Sequence, residues 1–336
     1  MAQILGLMLL SFFITFILFI PFIDFLYKLK IRRQKQKTVD IFDNPTPLFD
    51  KFHSWKKGTP FGGGLLIIAI VSILTLWSLG LLNVPVNLWE VFVLLFTFIS
   101  FGFLGFYDDL KKLANGKSSP FFGLRFRHKF LIQWILALII GTILYTQLGY
   151  TFIFIKGFGL ASLGFLFIPF AAFVIVSFTN AFNIADGLDG LSSGLLLICL
   201  GAFLVISGNQ LDESLGIFIA VLMGSLAAFL YFNIYKARIW LGDVGSLSLG
   251  AVLAVVGLLT GKIIALAFIG GVFVIEVGSS LIQILSKKFL GRKILPVSPF
   301  HLYLQKIGWD EPKIVMRAWL LGFLFAILGL YIAFIR

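Results

Sequence analysis

The chain has 336 residues, of which 60% are hydrophobic and only 12% charged, with a mean hydropathy of +1.04 and a formal net charge of +12. Soluble domains carry roughly 45 to 50% apolar residues, so this composition excludes a soluble globular protein and places the chain in a bilayer. The single cysteine, Cys199 in an apolar run, excludes an internal disulfide or a cysteine-based metal cluster. Basic residues beside membrane spans serve first to orient them and to meet anionic lipid, which argues against nucleic acid as a partner.

Apolar windows of about 20 residues, enough to cross a hydrocarbon core, predict ten spans at 4–27, 61–82, 87–106, 130–147, 164–182, 187–207, 214–232, 246–261, 264–286 and 314–334. The first lacks a basic n-region and a small-residue cleavage site and reads as a span, not a cleaved signal. Alternation puts segments 28–60, 107–129, 180–190, 233–246 and 287–313 on one side. They hold nine, six, none, two and six Lys or Arg, which with Arg317 makes 24 of the 27 in the chain. That asymmetry makes these segments cytoplasmic and both termini exterior. A short exterior β-hairpin is expected over 151–160, around Lys156 and Gly157. With no internal repeat and no long polar segment, residues 1–336 read as a single integral membrane domain, an all-α polytopic protein with a cytoplasmic cleft.

Acidic residues number only 15, yet Asp108, Asp109, Asp186, Asp189, Asp243 and Glu276 fall inside apolar runs or at their cytoplasmic ends. Carboxylates at membrane depth are costly and mark function by default, although any one alone also reads as a helix cap or a lysine partner. Asp108 and Asp109 precede Lys112 by about one helical turn, an arrangement suited to a cation and a phosphate or to a solvated helix end. Asn180, Asn183, Asp186 and Asp189 recur every three residues, which would keep them along one helix face, with Gly187 and Gly190 allowing close backbone approach. An Asx-rich turn is the competing reading. Asp243, between Gly242 and Val244, is a hard oxygen ligand suited to Mg²⁺. Trp240 suits either nucleobase stacking or the interfacial aromatic belt. His301 reads either as a lone, satisfied loop histidine or, with Lys313 and Arg317 further on, as a candidate to hold a diphosphate.

Taken together these pieces resemble the polyprenyl-phosphate N-acetylhexosamine-1-phosphate transferase superfamily, glycosyltransferase family 4, across nearly the whole chain. The pentapeptide-transferase branch is the nearer one. The resemblance is carried by Lys56 to Gly63, Asn180 to Leu191, Gly242 to Gly250, and the Gly308-Trp309-x-Glu-Pro-Lys313 string before Arg317. It implies transfer of phospho-MurNAc-pentapeptide from UDP-MurNAc-pentapeptide to undecaprenyl phosphate, giving lipid I and UMP, the first membrane step of peptidoglycan synthesis. By matching position it implies Asp243 as the Mg²⁺ ligand, with Asp186 a second candidate ligand. Asp108 and Asp109 would stand beside the reacting phosphates, Asp108 being the favoured base, and His301 joins the catalytic set. Lys56, Lys112 and Lys129 would face phosphate, Asn180, Asn183, Asp186, Asp189 and Asn233 would serve the substrate cleft, and Trp240 and Gln283 would lie near uracil. A homodimer enters through the resemblance alone.

Two departures bear on donor choice. The family's three consecutive histidines followed by an aromatic and Glu become His301-Leu302-Tyr303-Leu304-Gln305, and its Gly-Thr-Pro-Thr-Met-Gly-Gly becomes Gly-Thr-Pro-Phe-Gly-Gly-Gly. The alternative enzyme reading is a GlcNAc-1-phosphate transferase using UDP-GlcNAc for another envelope polymer. A secondary transporter is the alternative of another class. It predicts a repeat and several mid-span polar sites, whereas only Glu276 of the six acids lies well inside an expected span.

Overall fold

The computed structural model describes residues 2–32, 52, 56–82, 86–114, 123–155 and 159–335. The helices among these are α1 (Ala2–Lys28), α2 (Gly63–Leu82), α3 (Leu88–Ala114), α4 (Phe126–Thr146), α5 (Phe167–Ala185), α6 (Leu191–Gln210), α7 (Glu213–Asn233), α8 (Gly242–Leu259), α9 (Ile263–Ile269), α10 (Gly271–Leu290), α11 (Phe300–Lys306) and α12 (Glu311–Phe334). Lipid offers no partner for backbone N–H and C=O groups, so apolar segments of this length close their hydrogen bonds internally as helices. Among the described residues nine helical segments are long and apolar enough to cross a membrane. The expected hairpin forms as β1 (Phe152–Ile155) paired antiparallel with β2 (Gly159–Ser162). Lys156 and Gly157 lie outside the described residues.

The ninth expected span, 264–286, is not one straight helix, because α9 and α10 meet at 80°. The break falls on Gly270 and Gly271, the residue type that holds a helix most weakly short of proline. Neighbours press on it closely: a Cβ on Gly270 would come to 2.5 Å from the Phe178 ring, and one on Gly271 to 2.8 Å from the Phe325 ring.

The bundle is built around α8, which is buried from Val244 through Leu259 and packs chiefly against α3 and α5. Membrane helices gain little from excluding water between them, so close approach through small residues decides how they pack. The Gly-Asp-Val-Gly-Ser-Leu-Ser-Leu-Gly run of α8 supplies those residues. A Cβ on Gly105 of α3 would overlap the backbone carbonyl of Asp243, and one on Gly64 of α2 would overlap Gly245. These two contacts draw α3 and α2 onto the first turn of α8. Peripheral helices such as α1 and α12 keep apolar outer faces, with Leu9, Phe13, Ile17, Leu320 and Phe323 exposed where lipid tails would lie.

Candidate active site

The sequence's polar constellations meet where the C-terminal ends of α3 and α5 converge with the N-terminal ends of α4 and α8. The third expected span stops at 106, but α3 continues to Ala114 and carries Asp108, Asp109 and Lys112 beyond it. Likewise α4 begins at Phe126 and α8 at Gly242, so Lys129 and Asp243 occupy first helical turns. Charge made these ends look like loop on a hydropathy scale. In the fold the charges are paired, which lets the helices run on.

Lys112 Nζ lies 2.9 Å from Asp243 Oδ1, 3.2 Å from Asp108 Oδ2 and 3.3 Å from Asp109 Oδ1. Lys129 Nζ donates to Asp108 Oδ2 at 3.1 Å and to Asp243 Oδ2. Three carboxylates thus share two ammonium groups, and the second oxygens of the α3 pair are held by backbone. Leu124 N–H donates to Asp108 Oδ1 at 2.5 Å, and Val244 N–H donates to Asp109 Oδ2 at 3.1 Å. Asn183 donates to Ser246 Oγ at 2.7 Å and to Asp243 Oδ1 at 3.5 Å. The three carboxylates, the two lysines, Leu124 and Asn183 border one cavity of about 550 Å³, along with Asp186, Trp240 and His301. Trp240 is fixed there by backbone pairing, donating its N–H to the Pro60 carbonyl at 3.0 Å while its carbonyl accepts from Gly62.

The three-residue spacing of Asn180, Asn183, Asp186 and Asp189 does not keep them on one face. Helix α5 ends at Ala185, a turn follows, and α6 starts at Leu191 after Gly190 at φ +77°. The four side chains therefore diverge. Asn183 and Asp186 border the cleft, whereas Asn180 donates to Gln133 Oε1 at 2.8 Å away from it. Asp189 is buried behind the wall, accepting from Lys56 Nζ at 2.9 Å and from Ala237 N–H at 2.9 Å. Asn233 staples the same turn, accepting from Gly190 N–H and Ser193 Oγ and donating to the Ile239 carbonyl.

Lys56 also stands outside the lining. Its ammonium meets Glu311 Oε1 at 2.6 Å, the Gly187 carbonyl at 3.2 Å and the face of Trp240 at 4.7 Å. Gln283 is bound to the backbone of Leu295, 2.8 Å to its carbonyl and 3.0 Å from its N–H, and lies apart from the cleft. Lys313 and Arg317 stack on Trp309 at 5.0 and 4.5 Å. Glu311 belongs to the Gly308-to-Lys313 string, where nothing in the residues alone ties it to Lys56. Its place in the first turn of the last long helix, where an acid suits the helix dipole, was the available signal. Ser192 and Ser246 left none, since serine beside a span is commonplace.

Burial pushes the Asp186 carboxyl from its ordinary 3.8 up to about 7, opposed by the Ser192 hydroxyl that donates to it at 2.5 Å and reinforced by the charge of Asp243. A folded-state value above the unfolded one means the folded form binds the proton more tightly, so this carboxyl costs stability as pH rises from about 4 to about 7. Asp186→Asn escapes that cost. Its melting temperature should exceed the parent's by roughly 2 °C or more at pH 8, with the gap closing on acidification; melting curves that stay parallel at every pH would contradict this.

Fold and cleft define a class: a polytopic membrane protein whose helix ends gather carboxylates and lysines around one polar cavity. Residues 91–261 match the model of glycosyl transferase family 4. The chain is 38% identical to the phospho-N-acetylmuramoyl-pentapeptide-transferase of a Geobacillus strain over 96% of this chain and 95% of the relative. The enzyme of the same name from Geobacillus thermodenitrificans is 37% identical over 96% of the chain and 95% of the relative. That of Oceanobacillus iheyensis is 38% identical over 83% of the chain and 85% of the relative. The chain belongs to the phospho-N-acetylmuramoyl-pentapeptide-transferase family.

Proposed function

We propose that the protein transfers phospho-MurNAc-pentapeptide from UDP-MurNAc-pentapeptide to undecaprenyl phosphate, releasing UMP and leaving lipid I. The observation that carries this reading is the convergence of Asp108, Asp109 and Asp243 with Lys112 and Lys129 in one cleft, in a chain collinear with relatives that bear that enzyme's name. The strong bias of Lys and Arg to one set of loops supports a cytoplasmic active site in a bacterial plasma membrane.

Both substrates are phosphate esters, so catalysis needs charge neutralisation and in-line placement more than a protein nucleophile. Lys112 and Lys129 would exchange carboxylate partners for phosphate oxygens. Asp108 takes the proton of the lipid phosphate, whose oxygen forms the new bond to the donor's β-phosphorus. The bond from that phosphorus to the bridging oxygen breaks, and UMP leaves with the electron pair. Trp240 in the wall offers a ring face to the uracil.

Among the described residues no three His, Cys, Asp or Glu side chains stand together as a metal cage. Mg²⁺ does not need one, since it usually takes one or two carboxylates with phosphate and water. The hard oxygens of Asp243, with Asp186 along the same cavity, fit that mode. When bound there, Mg²⁺ supplies charge neutralisation of the donor diphosphate.

Purified protein supplied with undecaprenyl phosphate, Mg²⁺ and UDP-MurNAc-pentapeptide should release UMP and form lipid I. A chelator should stop it and added Mg²⁺ should restore it. Turnover confined to UDP-GlcNAc would overturn the choice of donor. Gly105→Ala is expected to lower kcat by about 100-fold, because a shift of about 1 Å at Asp243 is enough to do so. A rate near the parent's would show that α3 and α8 can part without disturbing the site.

A further inference from the structure

Glu276 is buried within α10, only 3% exposed, and no step above uses it. Its Oε2 sits 3.0 Å from His301 Nδ1, a ring that is itself 2% exposed, and 3.4 Å from the His301 backbone nitrogen. That backbone N–H can only donate, so Oε2 is an acceptor, and the ring nitrogen facing the same atom must carry its hydrogen there. A neutral ring held in this way leaves Nε2 without a proton. Nε2 is the nitrogen on the cleft side: a Cβ built on Gly187, next to Asp186, would lie 2.9 Å from it.

We infer that Glu276 is a positioning residue that fixes His301 as the Nδ1–H tautomer and so presents Nε2 to the cleft as an acceptor. The sequence makes this contact matter more. Where the resembled motif has three consecutive histidines, this chain has His301 alone, so a single imidazole carries whatever that stretch contributes. Glu276 stands on the half-span just after the break at Gly270 and Gly271, and the 80° bend belongs to the path that brings its carboxylate to α11. The charged groups facing the cleft around the ring are Asp186 on the adjoining turn, Asp108, Asp109, Lys112 and Lys129 from α3 and α4, Asp243 from α8, and Arg32; Glu276 is the one bonded to Nδ1.

The catalytic half of this inference rests on the transferase reading, and the tautomer half does not. The chain has three histidines, His53, His128 and His301, so ¹⁵N-histidine labelling in detergent gives few ring signals, and His301→Gln assigns the one that matters. At alkaline pH the parent should show His301 protonated at Nδ1. Glu276→Met removes the acceptor and should move the proton to Nε2, the form free imidazole favours. Its kcat should fall about 10- to 100-fold, the range for outer partners of metal-bound histidines, with KM for the donor changed by less than about threefold. Glu276→Gln keeps an acceptor oxygen and should recover both tautomer and most of the rate, which also guards against a methionine variant that fails to fold. A parent ring protonated at Nε2, or a methionine variant with unchanged tautomer or unchanged kcat, overturns the inference. A parent that ignores UDP-MurNAc-pentapeptide refutes the donor reading instead and leaves the tautomer result standing.

Discussion

Replacing Asp243 with asparagine is expected to cut transfer by about 10³-fold or more, while membrane yield and melting temperature stay close to the parent's. The size follows from what this side chain does. Its two oxygens are the meeting point of Lys112 and Lys129 and also receive Asn183. Removing one preorganised electrostatic contact at a transfer site typically costs about 10² to 10³ in rate, and Asp243 organises several. Asparagine keeps the shape and one acceptor oxygen, so Lys112 or Lys129 retains a partner and the helix start is undisturbed. Asp109→Asn should be comparably inactive, since it weakens the hold on Lys112, yet it too should fold, because an amide oxygen can still accept from Val244 N–H. UMP release by each purified variant is the measurement. A rate within about tenfold of the parent would remove that carboxylate from the reacting centre.

The parts of the fold set by hydrophobic length were legible from residues alone: nine of the ten expected spans are helices, and the hairpin at 151–160 is where weak alternation put it. What failed was reading helix ends by charge. Asp108, Asp109, Lys112, Lys129 and Asp243 look like loop residues one at a time, and each is helical because the others neutralise it across three helices. Such pairing is tertiary and leaves no periodic trace. The break at Gly270 and Gly271 carried a signal in the adjacent glycines, but a chain with 34 glycines dilutes it. In the site, Asp108, Asp109, Asp186 and Asp243 do share one cavity. Asp189 stands behind its wall instead, because the turn after Ala185 ends the helical period that would have aligned it, and Lys56 and Asn233 stand there because they bond to that turn. Residues chosen for polarity in an apolar chain thus divide into those that face the cleft and those that hold its wall, and only packing separates the two.

The wall suggests the second large effect. Lys56→Met should destabilise the protein by about 3–5 kcal/mol, the usual consequence of stripping one partner from a buried ion pair. Lys56 is 1% exposed and lies between Asp189 and Glu311, whose own carboxylate also accepts the Asp189 backbone N–H at 2.6 Å. Methionine fills a similar volume but leaves two buried carboxylates facing each other without a cation. Thermal unfolding in detergent should drop by roughly 10 °C. Adding Asp189→Asn and Glu311→Gln to Lys56→Met should restore much of that loss, because the penalty is uncompensated charge and not lost contact. The same substitution removes the Lys56 contacts to the Gly187 carbonyl and to one face of Trp240, so the residual activity at low temperature should show a raised KM for the nucleotide donor with a smaller change in kcat. Equal melting temperatures for the single and triple variants would mean that packing around the methylene stem, not the ion triad, holds this wall together.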